Sequence, residues 1–411
     1  MKNYQIKKSN KFKTNYLTIR YVIPATKENA TYSSLLSMYL MHANNVDRTY
    51  RESTNKLDLL YGSKIDINTA LKGNEIVFDF IFSAVSMRYI KNDENYGKEV
   101  IDTLITYIKD PLINDGAFDV ETFNLKKYEL QKRIEGSYDD KTTYALEQFY
   151  HIFGNNYPLE VNVLGYLDIL KDITKENLKD FYDKLIVQTP LISGLVDEVD
   201  YENINNILKH SFKEADFSEK LTFYNLESDK VEEVIQPQEI VQSKLVLGYY
   251  SNLKLDKKVF YEGLLFNALF GMSSNSYLFK KVREEANLCY TIRANYDFYS
   301  NSIFVFSGID KEDYQESVSL IDSILKDMQE GKISDEDIVE AKIVMVDIIS
   351  KTSDSQGALT GFYINRLMQG FPTDLNDDIK NINSVSKEEI IAFAKSIELK
   401  TKYLLSGDIN E

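Results

Sequence analysis

Residues 173–181 read ITKENLKDF, and residues 385–393 read VSKEEIIAF, which is the same pattern 212 positions later. Each copy places Thr or Ser where a helix would be capped and keeps its apolar residues in step. Each copy also leads into an apolar stretch that ends in Ser-Gly, at residues 193–194 and 406–407. Two signals at nearly one offset, about half the chain, predict a duplicated α/β unit.

Strand and helix patterns alternate on both sides of these copies. YLTIRYVI at 16–23 alternates apolar and polar residues, and IVFDFIF at 76–82 is β-branched and aromatic, so both stretches predict strands. Residues 120–153 predict a long helical region that is broken near Gly136. Runs of strands followed by runs of helices indicate the layers of an α+β fold.

The repeat also predicts the domain organisation. We expect an N-terminal domain at 1–212, a linker at 213–238 and a C-terminal domain at 239–411. The linker is rich in charged residues, its apolar residues show only a weak periodicity, and it contains Pro237.

The composition excludes several classes of protein. The 411 residues carry a formal charge of −16, which argues against nucleic-acid binding because phosphate contacts need surplus Lys and Arg. A single Cys excludes a disulfide framework and a Cys-based zinc site. We see no signal peptide and no run of about 18 apolar residues that would predict a membrane span. A reducing cytoplasm is therefore the expected compartment.

The short motifs reveal no complete catalytic set. His42, His151 and His210 are far apart, and none belongs to a His-x-x-x-His or His-x-x-Glu-His pattern. Cys289 lies in the apolar stretch LCYTI, which favours a buried and inert thiol. Residues 271–274 (GMSS) would suit either a small nest of backbone donors or a simple turn between helices.

Residues 269–308 (LFGMSSNSYLFKKVREEANLCYTIRANYDFYSNSIFVFSG) form a more specific constellation. A loop of small residues enters an amphipathic helix, and a strand follows. Arg283 sits late on this helix, and Tyr290 follows seven residues later near the start of the strand. Such a corner could aim a guanidinium and a phenol at one peptide carbonyl or its oxyanion. The alternative is an Arg paired with Glu284 or Glu285 and a Tyr in the core.

This segment resembles the second-domain signature of the insulinase/pitrilysin-type zinc metallopeptidases, which include the mitochondrial processing peptidases. That signature is a Gly/Ser loop, then Ser-x-Leu-Phe-x-x-Val-Arg-Glu, then a Tyr seven residues beyond the Arg. The matching residues are Ser276, Leu278, Phe279, Val282, Arg283, Glu284 and Tyr290. The resemblance extends over nearly the whole chain. It implies two homologous α/β-sandwich domains, each a mainly antiparallel sheet packed with helices.

The first half departs from the family where zinc would bind. Active members carry His-x-x-Glu-His on a helix, and a third ligand, a Glu, comes from a later helix. Here Ser34 and Met38 stand at the His positions and Ser37 at the Glu position, while the later helix reads LQKRI at 130–134. The resemblance therefore implies a degenerate zinc motif, with no metal and no catalytic residue of its own in this chain.

Some bacterial members of the family work as pairs, and this chain resembles the partner without zinc. The stretch ELQKRIEGSYDDKTTYA at 129–145 is similar to the same region of the YfmF-type subgroup. The resemblance implies a zinc-bearing insulinase-type partner (YfmH-like), with substrate binding by Arg283 and Tyr290. The expected substrate is a peptide or protein, in maturation of the 5-aminopentanol modification of elongation factor P or of a ribosomally made peptide. The alternative function is a peptide- or protein-binding adaptor with no role in proteolysis.

The sequence predicts that the purified chain binds no catalytic zinc, because hydroxyl and thioether side chains do not replace imidazoles around Zn²⁺. After incubation with excess zinc and gel filtration, elemental analysis should find far less than one zinc ion per chain. A zinc-bearing relative treated identically serves as the positive control. Stoichiometric zinc would contradict the assignment of Ser34, Ser37 and Met38 to the motif.

Overall fold

A computed structural model describes residues 2–91, 93, 95–216, 223–224, 226 and 230–407. The strands are β1 Tyr4–Lys8, β2 Thr14–Pro24, β3 Lys64–Lys72, β4 Glu75–Val85, β5 Ile113–Asn114, β6 Ala117–Phe118, β7 Leu191–Val196, β8 Glu232–Gln238, β9 Ser243–Ser251, β10 Thr291–Asp297, β11 Ser302–Ile309 and β12 Ile397–Gly407.

The α-helices of the described residues are also numbered in chain order. They are α1 Lys27–Leu40, α2 Tyr50–Leu59, α3 Tyr96–Lys109, α4 Val120–Ser137, α5 Lys141–Phe153, α6 Leu167–Leu170, α7 Lys175–Ile186, α8 Glu198–Ser211, α9 Lys257–Asn267, α10 Tyr314–Gln329, α11 Asp335–Thr352, α12 Gln356–Gln369, α13 Leu375–Ser384 and α14 Lys387–Lys395. Short 3₁₀ turns lie at Met87–Tyr89, Pro158–Glu160 and Lys311–Asp313, and π-helical turns at Ala268–Met272 and Phe279–Glu285.

The described residues form two compact units. The first comprises Met1–Gly136, Val161–Leu221 and Thr352–Thr373, and the second comprises Ser137–Glu160, Thr222–Lys351 and Asp374–Glu411. Each unit therefore contains one segment from the other half of the sequence. The boundaries at 212 and 239 stay a prediction, because these units are not continuous stretches of chain. Within the predicted linker, residues 230–238 include β8, whereas 217–222, 225 and 227–229 lie outside the described residues.

The two sheets share one topology. The first has the strand order β1-β7-β2-β4-β3, and the second has β8-β12-β9-β11-β10. In each sheet the first pair is parallel, with Tyr4 opposite Ile192 and Thr401 opposite Glu232, and the remaining pairs are antiparallel. This shared order confirms the predicted fold of two homologous α/β sandwiches, each built on a mainly antiparallel sheet.

The repeated helix starts are capped as the sequence predicts. The hydroxyls of Thr174 and Ser386 accept hydrogen bonds from the backbone N–H groups of Asn177 and Glu389, at 3.2 Å each. The side chains of Asn177 and Glu389 in turn accept from the cap residues' own N–H groups, which completes both capping boxes. These caps start α7 and α14, and each helix is followed by a strand of its unit's sheet, β7 or β12.

In the second unit, α5 covers the sheet although it comes from the first half of the sequence. Phe149 and Phe153 of this helix stack with ring centroids 5.3 Å apart, and both meet the edge of Phe304 on β11. Gly248 on β9 lies beneath them, and a Cβ there would come within 2.4 Å of Phe153 and 2.6 Å of Phe149. The glycine therefore creates the space in which the two rings pack.

In the first unit, α12 covers the sheet although it comes from the second half of the sequence. Arg20 on β2 is buried and binds both carboxylate oxygens of Asp79 on β4, each at 2.7 Å. Its guanidinium also donates to the side-chain oxygen of Asn365 on α12 at 2.8 Å. At the start of the same helix, the Gln356 amide donates to the Leu195 carbonyl at 3.0 Å. These hydrogen bonds satisfy buried polar groups, which would destabilise the fold if they had no partner.

Gly248→Ala should destabilise the protein because the new methyl group overlaps two buried rings. We expect the free energy of unfolding to fall by about 1–3 kcal/mol in chemical denaturation. Gly361→Ala in α12 is the matched control, since a Cβ at that position would meet no heavy atom within 4 Å beyond the backbone of its own helix. That exchange should leave stability unchanged or raise it by up to about 1 kcal/mol. Equal stability of both variants would contradict the packing of α5 on β9.

Candidate functional site

Helix α1 carries Ser34, Ser37 and Met38, the three positions that the sequence predicts for a degenerate zinc motif. Thr26 caps the start of this helix, and its hydroxyl accepts a hydrogen bond from the Asn29 N–H at 3.0 Å. Ser34 is buried, and its carbonyl accepts a hydrogen bond from the Ser37 hydroxyl at 2.9 Å. The Ser37 hydroxyl is thus bound to its own helix, and Met38 is the next residue of that helix.

A cavity of about 300 Å³ lies where α1 faces α4 in the first unit. Ser37 and Met38 line it, whereas Ser34 is not among its lining residues. The full lining is Ser37, Met38, Met41, His42, Tyr50, Ile67, Lys126, Glu129 and Arg133. Two of the three predicted motif positions therefore share one cavity with the helix that would carry the third ligand.

The side chains in this cavity do not fit a catalytic zinc ion. Lys126, Glu129 and Arg133 project from α4 at the spacing of one helix face, and the Lys126 ammonium pairs with the Glu129 carboxylate at 3.0 Å. The two cations outweigh the single carboxylate, so the cavity carries a net positive charge that repels a divalent metal ion. Among the described residues there is no group of three His, Cys, Asp or Glu side chains that could hold one.

His42 is a lining residue whose place in this cavity no sequence motif indicates. Burial is the largest cause that lowers the pKa of His42, and the Lys126 ammonium adds to it, so the ring is neutral near pH 7. The imidazole stacks on Tyr50 with ring centroids 5.6 Å apart, and its Nδ1 has no hydrogen-bond partner among the described residues. The sequence offers no signal for this placement, because His42 lies in the turn that follows the end of α1 at Leu40.

Arg283 lies on the π-helical turn at Phe279–Glu285, where the sequence predicts an ordinary helix. The Ala286 N–H donates to the Lys281 carbonyl at 3.0 Å, which is the wider repeat of a π-helix. Val282 and Leu278 are buried and fix this turn against the core. Arg283 itself is exposed, and its guanidinium lies 4.6 Å from the centre of the Phe279 ring.

Tyr290 lies just before β10, in the same unit. Asn287 turns the chain with a φ of +53°, and the Tyr290 N–H then donates to the Gly308 carbonyl at 3.0 Å. The Tyr290 side chain is 62% exposed, so it does not fill the core. Within the part of the chain that the structure describes, Arg283 forms no ion pair with Glu284 or Glu285. The Arg283 guanidinium and the Tyr290 hydroxyl therefore both present their donors to solvent.

Packing and local hydrogen bonds explain the loop at residues 271–274. A Cβ on Gly271 would come within 2.6 Å of the Ala294 Cβ on β10, so this position needs glycine for close approach. The Ser276 N–H donates to the Ser273 carbonyl at 3.1 Å, and the Asn275 N–H to the Ser273 hydroxyl at 3.3 Å. These bonds indicate a turn between helices rather than an open nest of donors.

Comparison with known proteins agrees with this geometry. A model of the Peptidase M16 inactive domain matches residues 172–345. The Bacillus subtilis protein described as "Probable inactive metalloprotease YmfF" is 28% identical over 408 residues, covering 98% of this chain and 95% of that protein. A second Bacillus subtilis protein, "Uncharacterized zinc protease YmxG", is 21% identical over 329 residues, covering 78% of this chain and 79% of its own length.

Solved structures share the fold over nearly the whole chain. A conserved protein from Enterococcus faecalis superposes with a TM-score of 0.90 at 26% identity, covering 99% of this chain and 97% of the other. A peptidase M16 inactive domain from Pseudomonas fluorescens gives a TM-score of 0.78 at 12% identity, covering 99% and 95%, which shows the fold alone.

These findings agree with the predicted resemblance to the insulinase/pitrilysin-type (M16) peptidases: part of the chain matches the inactive M16 domain, and nearly all of it is similar to a protein described as a probable inactive metalloprotease. The relative that corresponds to the predicted YfmF-type resemblance is named YmfF. Among the described residues, no helix has the length and apolar character needed to cross a membrane.

Cys289 is buried as the sequence predicts. Because it lies between Arg283 and Tyr290 in the sequence, its reactivity tests whether the backbone of this corner is packed as described. Burial raises the pKa of the Cys289 thiol, although the Ser307 hydroxyl and the Arg283 charge oppose this. Because less thiolate is present at a given pH, iodoacetamide should label native Cys289 more slowly than a free cysteine at pH 8. Labelling in denaturant is the control, and equal rates in both states would contradict the buried placement.

Proposed function

We propose that this chain is the non-catalytic subunit of a heterodimeric zinc metallopeptidase, and that it positions a peptide for a zinc-bearing insulinase-type partner. The observation that carries the proposal is the corner at residues 283–290. Arg283 and Tyr290 are exposed there, while buried neighbours hold the backbone between them. The cavity beside α1, in contrast, lacks a ligand set for zinc.

The chemistry of the two side chains suits a developing negative charge. A guanidinium stays charged at any physiological pH and offers five N–H donors, and a phenol adds one O–H donor. Donors that already point towards solvent need little reorganisation when a peptide carbonyl arrives. In the proposed complex Arg283 and Tyr290 hold the scissile carbonyl, while the water that attacks it belongs to the partner's zinc.

The sheet edge next to this corner offers a way to hold the peptide. β10 lies at one edge of the second sheet, and it begins at Thr291, directly after Tyr290. An extended peptide that adds as a strand to this edge needs only main-chain hydrogen bonds. Such pairing would bring one peptide carbonyl close to Tyr290 without fixing the sequence of the substrate.

The proposed assembly sets the two units of this chain against two units of the partner, enclosing a chamber. Its substrate is a peptide or protein in the cytoplasm, and maturation of modified elongation factor P or of a ribosomally made peptide is the proposed setting. The likeness to an inactive metalloprotease over almost the whole chain supports the non-catalytic role, and the relative described as a zinc protease supports a partner of the same family.

Substitutions at the corner should slow cleavage by the reconstituted pair. We expect Arg283→Ala and Tyr290→Phe each to lower kcat/KM for a peptide substrate about 10²- to 10³-fold, as for loss of one donor to an oxyanion. The measurement uses this chain mixed with its zinc-bearing partner and mass spectrometry of the products. Removing zinc from the pair should abolish cleavage altogether.

Matched controls separate this role from folding. Arg51→Ala on α2 and Tyr89→Phe remove the same groups from other exposed positions, and cleavage should stay within about twofold of the native rate. Unchanged cleavage in Arg283→Ala and Tyr290→Phe would overturn the role of the pair. Substrate binding by this chain without any zinc-bearing partner, together with tolerance of an inactivated partner, would favour the non-proteolytic adaptor instead.

A further inference from the structure

We propose that the cavity between α1 and α4 binds the C-terminal carboxylate of a peptide whose last side chain is apolar. The site lies in the first unit, at the place of the degenerate zinc motif. It is independent of the roles proposed for Arg283 and Tyr290, which belong to the second unit. It therefore assigns a function to the part of the chain in which metal chemistry has been lost.

The charge in the cavity favours an anion. Lys126 and Arg133 contribute two cations, and Glu129 contributes one carboxylate, so the lining carries a net positive charge although the whole chain carries −16. The Lys126 side chain is only 15% exposed, and its ion pair with Glu129 leaves Arg133 without a carboxylate partner among the described residues. A ligand carboxylate would complete the ion pairing at this place.

The remaining wall favours an apolar side chain next to that carboxylate. Met38 and Met41 supply flexible thioethers, and Ile67 and the ring of Tyr50 add apolar surface. The neutral ring of His42 belongs to the same wall and adds no charge that would compete for the anion. The cavity of about 300 Å³ is at the small end of ligand pockets, which suits one terminal residue rather than a longer segment.

The strand beside the cavity favours a peptide over a small inorganic anion. Ile67 belongs to β3, and β3 lies at one edge of the first sheet. The edge of a sheet offers backbone N–H and C=O groups to an extended segment. A peptide that runs along β3 can therefore place its last residue in the cavity, with its carboxylate between Lys126 and Arg133.

The test compares two peptides that differ only at the C-terminus. Calorimetric titration of the full chain uses N-acetyl-Ala-Leu-Leu with a free carboxylate and the same tripeptide as its amide. We expect the acid to bind at least about tenfold more tightly than the amide, because only the acid forms charge-assisted hydrogen bonds. Arg133→Ala should reduce the affinity for the acid by a similar factor and leave that for the amide unchanged.

Lys132→Ala is the matched control, since Lys132 is the neighbour of Arg133 on α4, is exposed and does not line the cavity. The Lys132→Ala variant should bind the acid with the same affinity as the native chain. Equal affinities for acid and amide, no binding of the acid, or no effect of Arg133→Ala would overturn the proposal. Inorganic phosphate that displaces the acid at equal concentration would also overturn it, because the site would then recognise anions in general.

Discussion

The structure depends on one constraint: each sheet buries side chains on both of its faces, and both faces must be covered. The middle strands β2 and β9 carry buried residues at successive positions, so neither sheet can leave one face in water. In each unit the second face is covered by a helix from the opposite half of the sequence, α5 or α12. Gly248 shows how closely this cover fits, since even one methyl group would overlap Phe149 and Phe153. The two halves are therefore similar in topology but not separable by one cut in the chain.

Local patterns predicted the parts of the fold that local chemistry determines. The caps at Thr174 and Ser386 need only a side chain and the N–H three residues later, and the buried strands at 16–23 and 76–82 show in residue type alone. The exchange of α5 and α12 escaped prediction because no local pattern tells which sheet an amphipathic helix will cover. The two π-helical turns escaped it for a related reason, since a wider turn depends on tertiary packing around residues such as Val282.

The candidate site likewise has features that the local sequence predicts and features that only the fold reveals. The assignment of Ser34, Ser37 and Met38 to a degenerate zinc motif stays a prediction, since it rests on residue type at the spacing that the resemblance implies. The exposure of Arg283 and Tyr290 could not be read from the sequence, because a late helical Arg and an early strand Tyr suit either a core or a solvent-facing corner. The cavity around His42 was also hidden, since it joins residues 38–42 to residues 126–133, and only the fold brings those segments together.

The residues that line the cavity between α1 and α4 determine its electrostatic preference. A site for Zn²⁺ needs neutral imidazoles and carboxylates around a space from which other cations are absent. Here the only carboxylate among the lining residues, Glu129, is already paired with Lys126, and Arg133 adds a further cation. A hydroxyl at Ser37 and a thioether at Met38 then reduce the polarity of the opposite wall without adding charge. The cavity between α1 and α4 therefore surrounds a space in which a carboxylate is a better electrostatic match than a divalent cation.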